Sequence, residues 1–347
     1  MPALEEVLYG GQIGEGEHVY AFEREFARVF GLPHALAMSS GTGALHAALT
    51  LAGVRAGDEV ISTAMTAEPT NTVITQLGAR PVWSDVEADT GNPDPASVAA
   101  CITDKTSAIV VVHYAGYPVD LDSIMAVARA HNLPVIEDCA HALGAKYGER
   151  PIGTIGDYAI FSLQAIKHMT TVDGGVLTMR DASQVDEAKR LRWFGLERGV
   201  DRQKTNIRDQ GYKYNLSKVA AVIGLAQLQV IEVRIAAHIR NAERMNAAFA
   251  GAKTVAPARV ATSAKPSYWL YTLLCDDDQA IISRLSGVAV ASKLHRRNDE
   301  HALFAASKRP LPGLDTFYRK LVHLPCGWWV SDSDCNRIIE AVLSRGG

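Results

Sequence analysis

The sequence predicts an α/β fold: a large domain built on a mainly parallel, buried sheet, followed by a smaller α/β domain. Two observations support this prediction. Short apolar runs alternate with helical segments over most of the first half of the chain, which is typical of parallel sheets covered by helices. The chain also has 347 residues, which is more than one hydrophobic core usually organises.

The N-terminal region predicts an arm followed by a helix. Residues 10–16 are too rich in glycine to form a helix, whereas residues 19–30 show the apolar spacing of an amphipathic helix. We therefore expect a flexible N-terminal arm over residues 1–20, after which the large domain begins.

Six apolar runs predict the strands of the large domain. They cover residues 35–38, 59–62, 81–83, 108–112, 134–137 and 158–161. A long apolar-rich helix is expected over residues 216–233. The chain then becomes more basic, and we place the boundary there: a large cofactor-binding domain over 21–235 and a small C-terminal domain over 236–347. Within the small domain the patterns predict strands at 269–275 and 288–293 and a last helix at 332–344.

Composition excludes several classes of function. A formal charge of −3 with 21% charged residues gives no electrostatic reason to expect nucleic acid or an acidic membrane as a partner. The five cysteines show neither CxxC spacing nor a disulfide-like framework, which favours a reducing compartment and disfavours a cysteine-based metal site. Since we identify no signal peptide and no apolar run of about 20 residues, we expect a cytoplasmic protein that binds small molecules.

A turn of small residues follows the first predicted strand. Ser40, Gly41, Thr42 and Gly43 open directly into a helix, and free N–H groups at a helix start, with glycine allowing close approach, favour a bound phosphate. The alternative is a serine that only caps an ordinary helix. A dinucleotide-binding fingerprint is disfavoured because His46 stands where that pattern requires glycine or alanine.

Two further segments place reactive side chains after strands. Asp138 and His141 follow the fifth run, at the edge where α/β sheets bind ligands. They could equally be a helix cap and a buried core histidine. Ser162 and Lys167 follow the sixth run. A lone lysine is usually a solvated surface charge, but an apolar setting can lower its pKa and make the neutral amine a nucleophile.

In combination, these motifs resemble the DegT/DnrJ/EryC1/StrS family of sugar aminotransferases. The resemblance is carried by the motifs at residues 40–42, 137–141, 161–162, 167 and 173–175, and it extends through residues 113–116, 211–215, 224–228, 295–298 and 325–329. It implies the fold-type I architecture of pyridoxal-phosphate (PLP)-dependent transferases, which is aspartate-aminotransferase-like. It also implies pyridoxal 5′-phosphate as cofactor and a homodimer whose active sites lie at the subunit interface.

The resemblance also implies a role for each motif residue. Lys167 would be the catalytic, Schiff-base lysine, Asp138 would keep the pyridine nitrogen protonated, and His141 would face the cofactor ring or its 3-hydroxyl. The phosphate would be bound by Gly41, Thr42 and Ser162.

Two positions depart from the family pattern. Lys213 stands where many members have the asparagine that reaches the neighbouring subunit's phosphate, and Asn215 lies two residues on; an ammonium and an amide both suit that contact. Some relatives also stack an aromatic ring on the cofactor from the loop at residues 65–68, where this chain has Met-Thr-Ala-Glu.

The expected reaction moves an amino group from an amino acid, L-glutamate first, to a keto or aldehyde sugar. In this family the acceptor is most often a nucleotide-linked 4-keto-6-deoxy hexose. Four side chains are candidate contacts of this substrate or, equally, ordinary surface charges: Arg192, His295, Arg296 and Arg297.

Several alternatives remain open. The acceptor could be a keto-octulosonate or an inosose, and the protein could be a non-catalytic paralogue or a plain nucleotide-binding module. A PLP-dependent sugar dehydratase is disfavoured because those relatives carry histidine where Lys167 stands. The adjacent His168 is no substitute, since a neighbour on the chain points elsewhere.

Overall fold

The computed structural model describes residues 2–344. The helices are α1 (Pro2–Tyr9), α2 (Glu17–Phe30), α3 (Gly41–Leu51), α4 (Glu68–Gln76), α5 (Pro95–Ala100), α6 (Leu121–Ala130), α7 (Val185–Arg192), α8 (Lys218–Leu228), α9 (Ile231–Phe249), α10 (Asp278–Arg284), α11 (Pro312–Lys320) and α12 (Asp332–Leu343). The strands are β1 (His34–Met38), β2 (Glu59–Thr63), β3 (Arg80–Ser84), β4 (Thr106–Val112), β5 (Val135–Asp138), β6 (Lys146–Tyr147), β7 (Arg150–Pro151), β8 (Tyr158–Ser162), β9 (Gly175–Met179), β10 (Val255–Pro257), β11 (Ala264–Lys265), β12 (Tyr271–Cys275) and β13 (Leu321–Leu324).

The large sheet has seven strands in the order β1-β9-β8-β5-β4-β2-β3. The pairs β8/β5, β5/β4, β4/β2 and β2/β3 are parallel, whereas β9 runs antiparallel to both of its neighbours. The predicted α/β fold with a mainly parallel sheet is therefore confirmed. Because most strands point the same way, the carboxyl ends of β1, β2, β5 and β8 meet at one edge of this sheet.

The six predicted strands of the large domain are confirmed within two residues at each end, because each is a short and largely buried apolar run. Strand β9 was missed. Its pattern, Gly-Val-Leu-Thr-Met, follows a glycine-containing turn, and its place in the sheet comes from long-range pairing with β1 and β8.

Three predicted elements differ from the structure. The helix expected over 216–233 is two helices, α8 and α9, because the chain breaks after Leu228 and Val230 leaves the helical conformation. Residues 288–293 do not form a strand, since they follow a turn with Gly287 at positive φ; only Ser292 makes an isolated bridge, to His323. Helix α1 and the start of α2, at Glu17, lie inside the flexible arm predicted over residues 1–20.

The hydrophobic residues form three buried clusters. Two of them cover the faces of the seven-stranded sheet, and the third lies mainly among the elements after residue 240. Helix α9 links them: Ile231 and Ile235 belong to a sheet cluster, whereas Met245 and Phe249 belong to the third. A domain boundary within this helix, at residue 235, stays a prediction.

Within residues 2–344, no single helix is long and apolar enough to cross a membrane. Helices α8 and α9 meet that test of length and composition only as a pair, and they are bent by 59° at the break between them.

Candidate active site

A cavity of about 400 Å³ lies at the edge of the large sheet where the parallel strands end. Its walls include the turn after β1, the loop after β2, and the segments that follow β5 and β8. It brings together six residues that the sequence predicted for cofactor binding: Gly41, Thr42, Asp138, His141, Ser162 and Lys167. The order of the strands explains this convergence, because their carboxyl ends share one edge.

One end of the cavity is the start of helix α3. The Ser40 hydroxyl caps this helix by accepting a hydrogen bond of 2.9 Å from the Gly43 N–H. The first N–H groups of a helix have no acceptor within the helix, so those of Gly41 and Thr42 are available to an anion. A Cβ at Gly41 would lie 2.9 Å from Cβ of Ser162. The serine cap and the phosphate cradle are therefore compatible, and glycine is required for the close approach.

Asp138 is the last residue of β5 and is almost fully buried. Its Oδ1 accepts a hydrogen bond from the Ala140 N–H at 3.1 Å, and its Oδ2 accepts one from the Thr70 hydroxyl at 2.9 Å. Burial raises the pKa of Asp138, while its hydrogen bonds and the Lys167 amine act in the opposite direction. A cation placed beside this carboxylate would offset the cost of burying its charge.

The loop after β2 supports Asp138 through residues that the sequence did not single out for this role. The Thr70 hydroxyl lies 2.9 Å from the Thr66 hydroxyl, and since its own proton goes to Asp138 it accepts from Thr66. The Asn298 side chain donates to the Thr66 carbonyl at 2.9 Å and accepts from the Asn71 amide at 2.9 Å. The C-terminal part of the chain thus fixes the loop and the first turn of α4, from which Thr70 holds the carboxylate.

Hydrogen bonds to the residue before Asp138 also fix the end of strand β5. The carboxylate of Glu137, next to Asp138, is fully buried and accepts hydrogen bonds from the N–H groups of Ile155 and Gly156 at 2.9 and 2.7 Å. Nε2 of His113 lies 3.1 Å from the same carboxylate. These bonds satisfy Glu137 and fix the position of the strand end that carries Asp138.

Lys167 projects toward the cavity from the segment after β8. Part of the side chain faces the cavity, but the amine is enclosed by protein, and its Nζ lies 3.8 Å from the ring centroid of Trp269. Burial lowers the pKa of Lys167 to about 7, against the opposing effect of Asp138. The amine can therefore be neutral or charged near neutral pH, as required of a nucleophile that also moves protons.

His141 presents a neutral imidazole to the cavity. Its Nδ1 accepts the Ala115 N–H at 3.4 Å, so the ring proton is assigned to Nε2, which is left to donate. Burial, followed by the charge of Lys167, holds the pKa of His141 well below its usual range. His168 is the next residue in sequence after Lys167, and its Nε2 lies 3.0 Å from the Ser267 carbonyl oxygen. It points away, as predicted.

The structure does not bring Arg192 to the cavity. This arginine is buried, its guanidinium pairs with Glu15 and Glu23, and it donates to the Ala37 carbonyl at 3.0 Å. The expectation that it contacts a substrate is corrected accordingly, since its donors fasten the N-terminal arm to β1.

Of the three other predicted substrate contacts, one lines the cavity and two do not. His295 lines the cavity. Arg296 is exposed and pairs with Glu300, and Arg297 is engaged by Asp299 and Asp315. Of the three, only His295 faces the site directly. Arg297 is not retained as a substrate contact, because its guanidinium is already occupied.

Lys213 and Asn215 lie outside this cavity, on the segment that runs past β1. Lys213 is exposed, and its backbone forms an isolated β-bridge with that of Trp193. The backbone of Asn215 forms another with that of Met38. Oδ1 of Asn215 is buried and has no hydrogen-bond partner among residues 2–344. Neither side chain lines the cavity.

The donor set matches the chemistry of PLP, which combines a phosphate, a basic ring nitrogen, a ring hydroxyl and an aldehyde. The helix start with Gly41 suits the phosphate, and the buried carboxylate of Asp138 suits a protonated ring nitrogen. The His141 Nε2–H suits the hydroxyl, and the amine of Lys167 suits the aldehyde. Two observations show that these residues fit the cofactor. A Cβ at Gly41 would fill the space at the start of α3, and the carboxylate of Asp138 is buried, with a raised pKa.

The chain is similar to known proteins in sequence and in overall fold. The model of the DegT/DnrJ/EryC1/StrS aminotransferase family matches residues 1–343. The chain is 33% identical to the spore coat polysaccharide biosynthesis protein SpsC of Bacillus subtilis, over 97% of this chain and 92% of that protein. It is similar to the crystal structure of the sugar aminotransferase CalS13 from Micromonospora echinospora, with a TM-score of 0.95 and 36% identity over 98% of this chain and 95% of that one. It also resembles Spr1654 from Streptococcus pneumoniae, solved in a PLP form, with a TM-score of 0.90 and 26% identity over 99% and 94% of the two chains.

Proposed function

The chain belongs to the DegT/DnrJ/EryC1/StrS aminotransferase family, and from this premise we propose that it moves the amino group of L-glutamate to a nucleotide-linked 4-keto-6-deoxy hexose. The class of enzyme, a PLP-dependent aminotransferase acting on sugars, follows from the family and its solved relatives. The donor, the acceptor and the role of each residue are the proposal. The observation that carries it is the enclosed Lys167 amine, with a pKa of about 7, in one cavity with Asp138 and the start of α3.

Each residue has a distinct task in this proposal. PLP, when bound, supplies an aldehyde that carries the amino group and an electron-withdrawing ring that acidifies the neighbouring C–H bond. Lys167 accepts that proton on neutral Nζ and returns it from the ammonium. Asp138 would hold the protonated ring nitrogen, His141 would donate through Nε2, and the start of α3 would hold the phosphate.

The net exchange is balanced without an oxidant or reductant. The amino acid gives up NH₂ and a hydrogen and becomes a 2-oxo acid, and the keto sugar gives up its carbonyl oxygen and becomes an amino sugar. A lysine whose pKa lies near 7 suits both half-reactions of the amino transfer, because its amine must take up a proton and release it again in the course of the exchange.

A polar acceptor is supported by His295. Its Nε2 is buried and has no hydrogen-bond partner among the residues that the structure describes, and the side chain lines the cavity. Burial lowers the pKa of His295 to about 4, so the ring is neutral at physiological pH. We assign it a hydroxyl or carbonyl oxygen of the sugar. Arg296, the next residue, is assigned to the diphosphate because its pair with Glu300 is exposed to solvent and can exchange.

A homodimer with shared active sites is part of the proposal. The segment that precedes Lys213 exposes three large apolar side chains, Phe194, Val200 and Ile207, and apolar side chains grouped on an exposed segment favour a protein partner. Light scattering of the wild type and of Ile207→Asp tests this: a dimer that the substitution weakens supports the arrangement, and a monomeric wild type contradicts it.

The function is tested by product analysis. PLP-loaded protein is incubated with L-glutamate and, separately, a nucleotide-linked 4-keto-6-deoxy hexose, a keto-octulosonate or an inosose, with Lys167→Ala as control. The proposal predicts equal amounts of 2-oxoglutarate and amino sugar with the first acceptor only. Amination of one of the other acceptors would overturn the substrate, and loss of water from the sugar without a 2-oxo acid would overturn the reaction.

A further inference from the structure

Trp269 stands behind the site without lining the cavity. It comes just before β12, in the C-terminal part of the chain, and is 4% exposed. Sequence patterns indicated only that it lies at the start of a strand. In the structure its side chain contacts both Lys167 and His141, and its indole N–H bonds to the residue before the lysine.

The first contact fixes the backbone next to Lys167. The indole N–H donates a hydrogen bond of 2.8 Å to the carbonyl oxygen of Ile166, whose own side chain is exposed. The turn that carries the lysine has few apolar anchors, because residues 164–166 are exposed. A hydrogen bond one residue away therefore limits the directions in which the lysine side chain can leave the turn.

The second contact involves the face of the indole. Nζ of Lys167 lies 3.8 Å from the ring centroid, and an indole face attracts an ammonium group more strongly than other aromatic faces do. The imidazole of His141 stacks on the same side chain, with ring centroids 4.1 Å apart and an angle of 24°. Trp269 therefore sets the spacing between two residues that face the cofactor.

We propose that Trp269 is a positioning residue for amino transfer, which holds the Lys167 amine on its ring and the Ile166 carbonyl on its N–H. This inference rests on the proposed function, because it concerns how Lys167 is presented to PLP. The ring stabilises the resting ammonium form without forming an ion pair, so the amine can leave once it is neutral. The indole N–H keeps the turn in place while the amine moves.

The charged and titratable groups around the amine are Asp138, His141 and His295 in the cavity, together with His168, whose Nε2 points away toward the Ser267 carbonyl. Burial lowers the pKa of all three histidines, so they are neutral near pH 7. Among residues 2–344, Asp138 is the group whose charge favours the ammonium. A change at Trp269 alters none of these charges, and the effect of the indole face on the amine can therefore be measured separately.

The test uses two substitutions with different losses. Trp269→Phe keeps an aromatic face and removes the N–H donor, whereas Trp269→Leu removes both. Trp328→Phe is the control, since Trp328 is half-exposed and lies against Arg234. For each full-length apoprotein, the rate at which added PLP gains its visible, amine-bonded absorption is measured against pH, together with the dissociation constant for PLP. The pH midpoint of the rate reports the pKa of the free amine.

The proposal predicts that Trp269→Leu lowers the pH midpoint by roughly 0.5 to 1 unit, because the ammonium loses its cation–π contact. Trp269→Phe keeps the midpoint near the wild-type value and weakens PLP binding by roughly 3- to 10-fold through loss of one hydrogen bond. The control behaves as wild type. A merely structural tryptophan would change thermal stability and leave the midpoint in place.

Two results would overturn the inference. If Trp269→Leu retains the wild-type midpoint, or does not fold while Trp269→Phe binds PLP as the wild type does, Trp269 does not position the lysine. In either case the wild type still bonds PLP, so the proposed function stands. If the wild type itself never develops the visible band, the proposed function fails, and the inference fails with it.

Discussion

The hydroxyl of Thr70 is the side-chain donor to Asp138, and its removal should change the charge state of that carboxylate. Thr70→Val keeps the shape of the side chain and removes the bond of 2.9 Å to Oδ2. The Ala140 N–H then remains as a donor to the carboxylate, through Oδ1. Because the lost bond favours the ionised form, the pKa of Asp138, already raised by burial, rises further.

The expected magnitude follows from the type of bond. A buried hydrogen bond to a charged group contributes about 1.5 to 3 kcal/mol, which corresponds to a pKa increase of roughly 1 to 2 units for Asp138. The folded variant therefore becomes less stable than the wild type where Asp138 is ionised, at neutral pH. The difference declines as the pH falls and both proteins bind the proton.

Urea unfolding of the two apoproteins at pH 7 and at lower pH measures the difference in their stability. PLP titration over the same pH range measures the resulting change in PLP affinity. Since protonation of Asp138 removes the anion opposite the ring nitrogen, PLP affinity should begin to fall at a higher pH in Thr70→Val. Thr70→Ser, which keeps the hydroxyl, should restore both the stability and the pH dependence of PLP affinity. Thr72→Val, on the same helix with its hydroxyl bonded to the Pro69 carbonyl, is the matched control. A Thr70→Val protein that equals this control at every pH would refute the role of the hydroxyl.

Three other predictions follow from the same geometry. Gly41→Ala should weaken PLP binding at least 10-fold, because the added Cβ lies 2.9 Å from Cβ of Ser162; Gly14→Ala, where nothing lies within 4 Å, should leave the PLP dissociation constant unchanged. The rate of PLP bonding in the wild type should rise with pH around 7 as Lys167 loses its proton, and a midpoint near 10 in a stopped-flow pH series would contradict burial of the amine. Arg192→Met should lower the free energy of unfolding by about 3 to 5 kcal/mol, since it leaves the largely buried carboxylate of Glu23 without its cation, whereas Glu15 keeps its pair with Arg198; unchanged urea stability would count against its structural role.

Sequence patterns predicted the parallel part of the sheet and the residues at its edge, for a physical reason. Strands buried on both faces are short apolar runs, and side chains placed directly after them must converge where the strands end. On this basis Asp138, Lys167 and the turn at Gly41 were candidates, to which the family resemblance gave roles, and the structure brings them into one cavity.

The features that the sequence did not predict depend on long-range contacts. Strand β9 is defined by pairing on both sides. Thr70 reaches Asp138 from the first turn of α4, and Asn298 and Trp269 act from the C-terminal part of the chain. No local pattern showed which of their contacts support the site. Arg192 was misassigned because an arginine that pairs with buried glutamates and one that binds a diphosphate look alike in sequence.

The most direct test of the account is to locate the lysine that bonds to PLP. PLP-loaded wild type and Lys167→Ala are reduced with borohydride, digested, and analysed by mass spectrometry. The account predicts a PLP-modified peptide that contains Lys167 in the wild type, no modified peptide in the variant, and a native circular-dichroism spectrum in both. Modification of a different lysine, or equal modification of the two proteins, would contradict the assignment of Lys167.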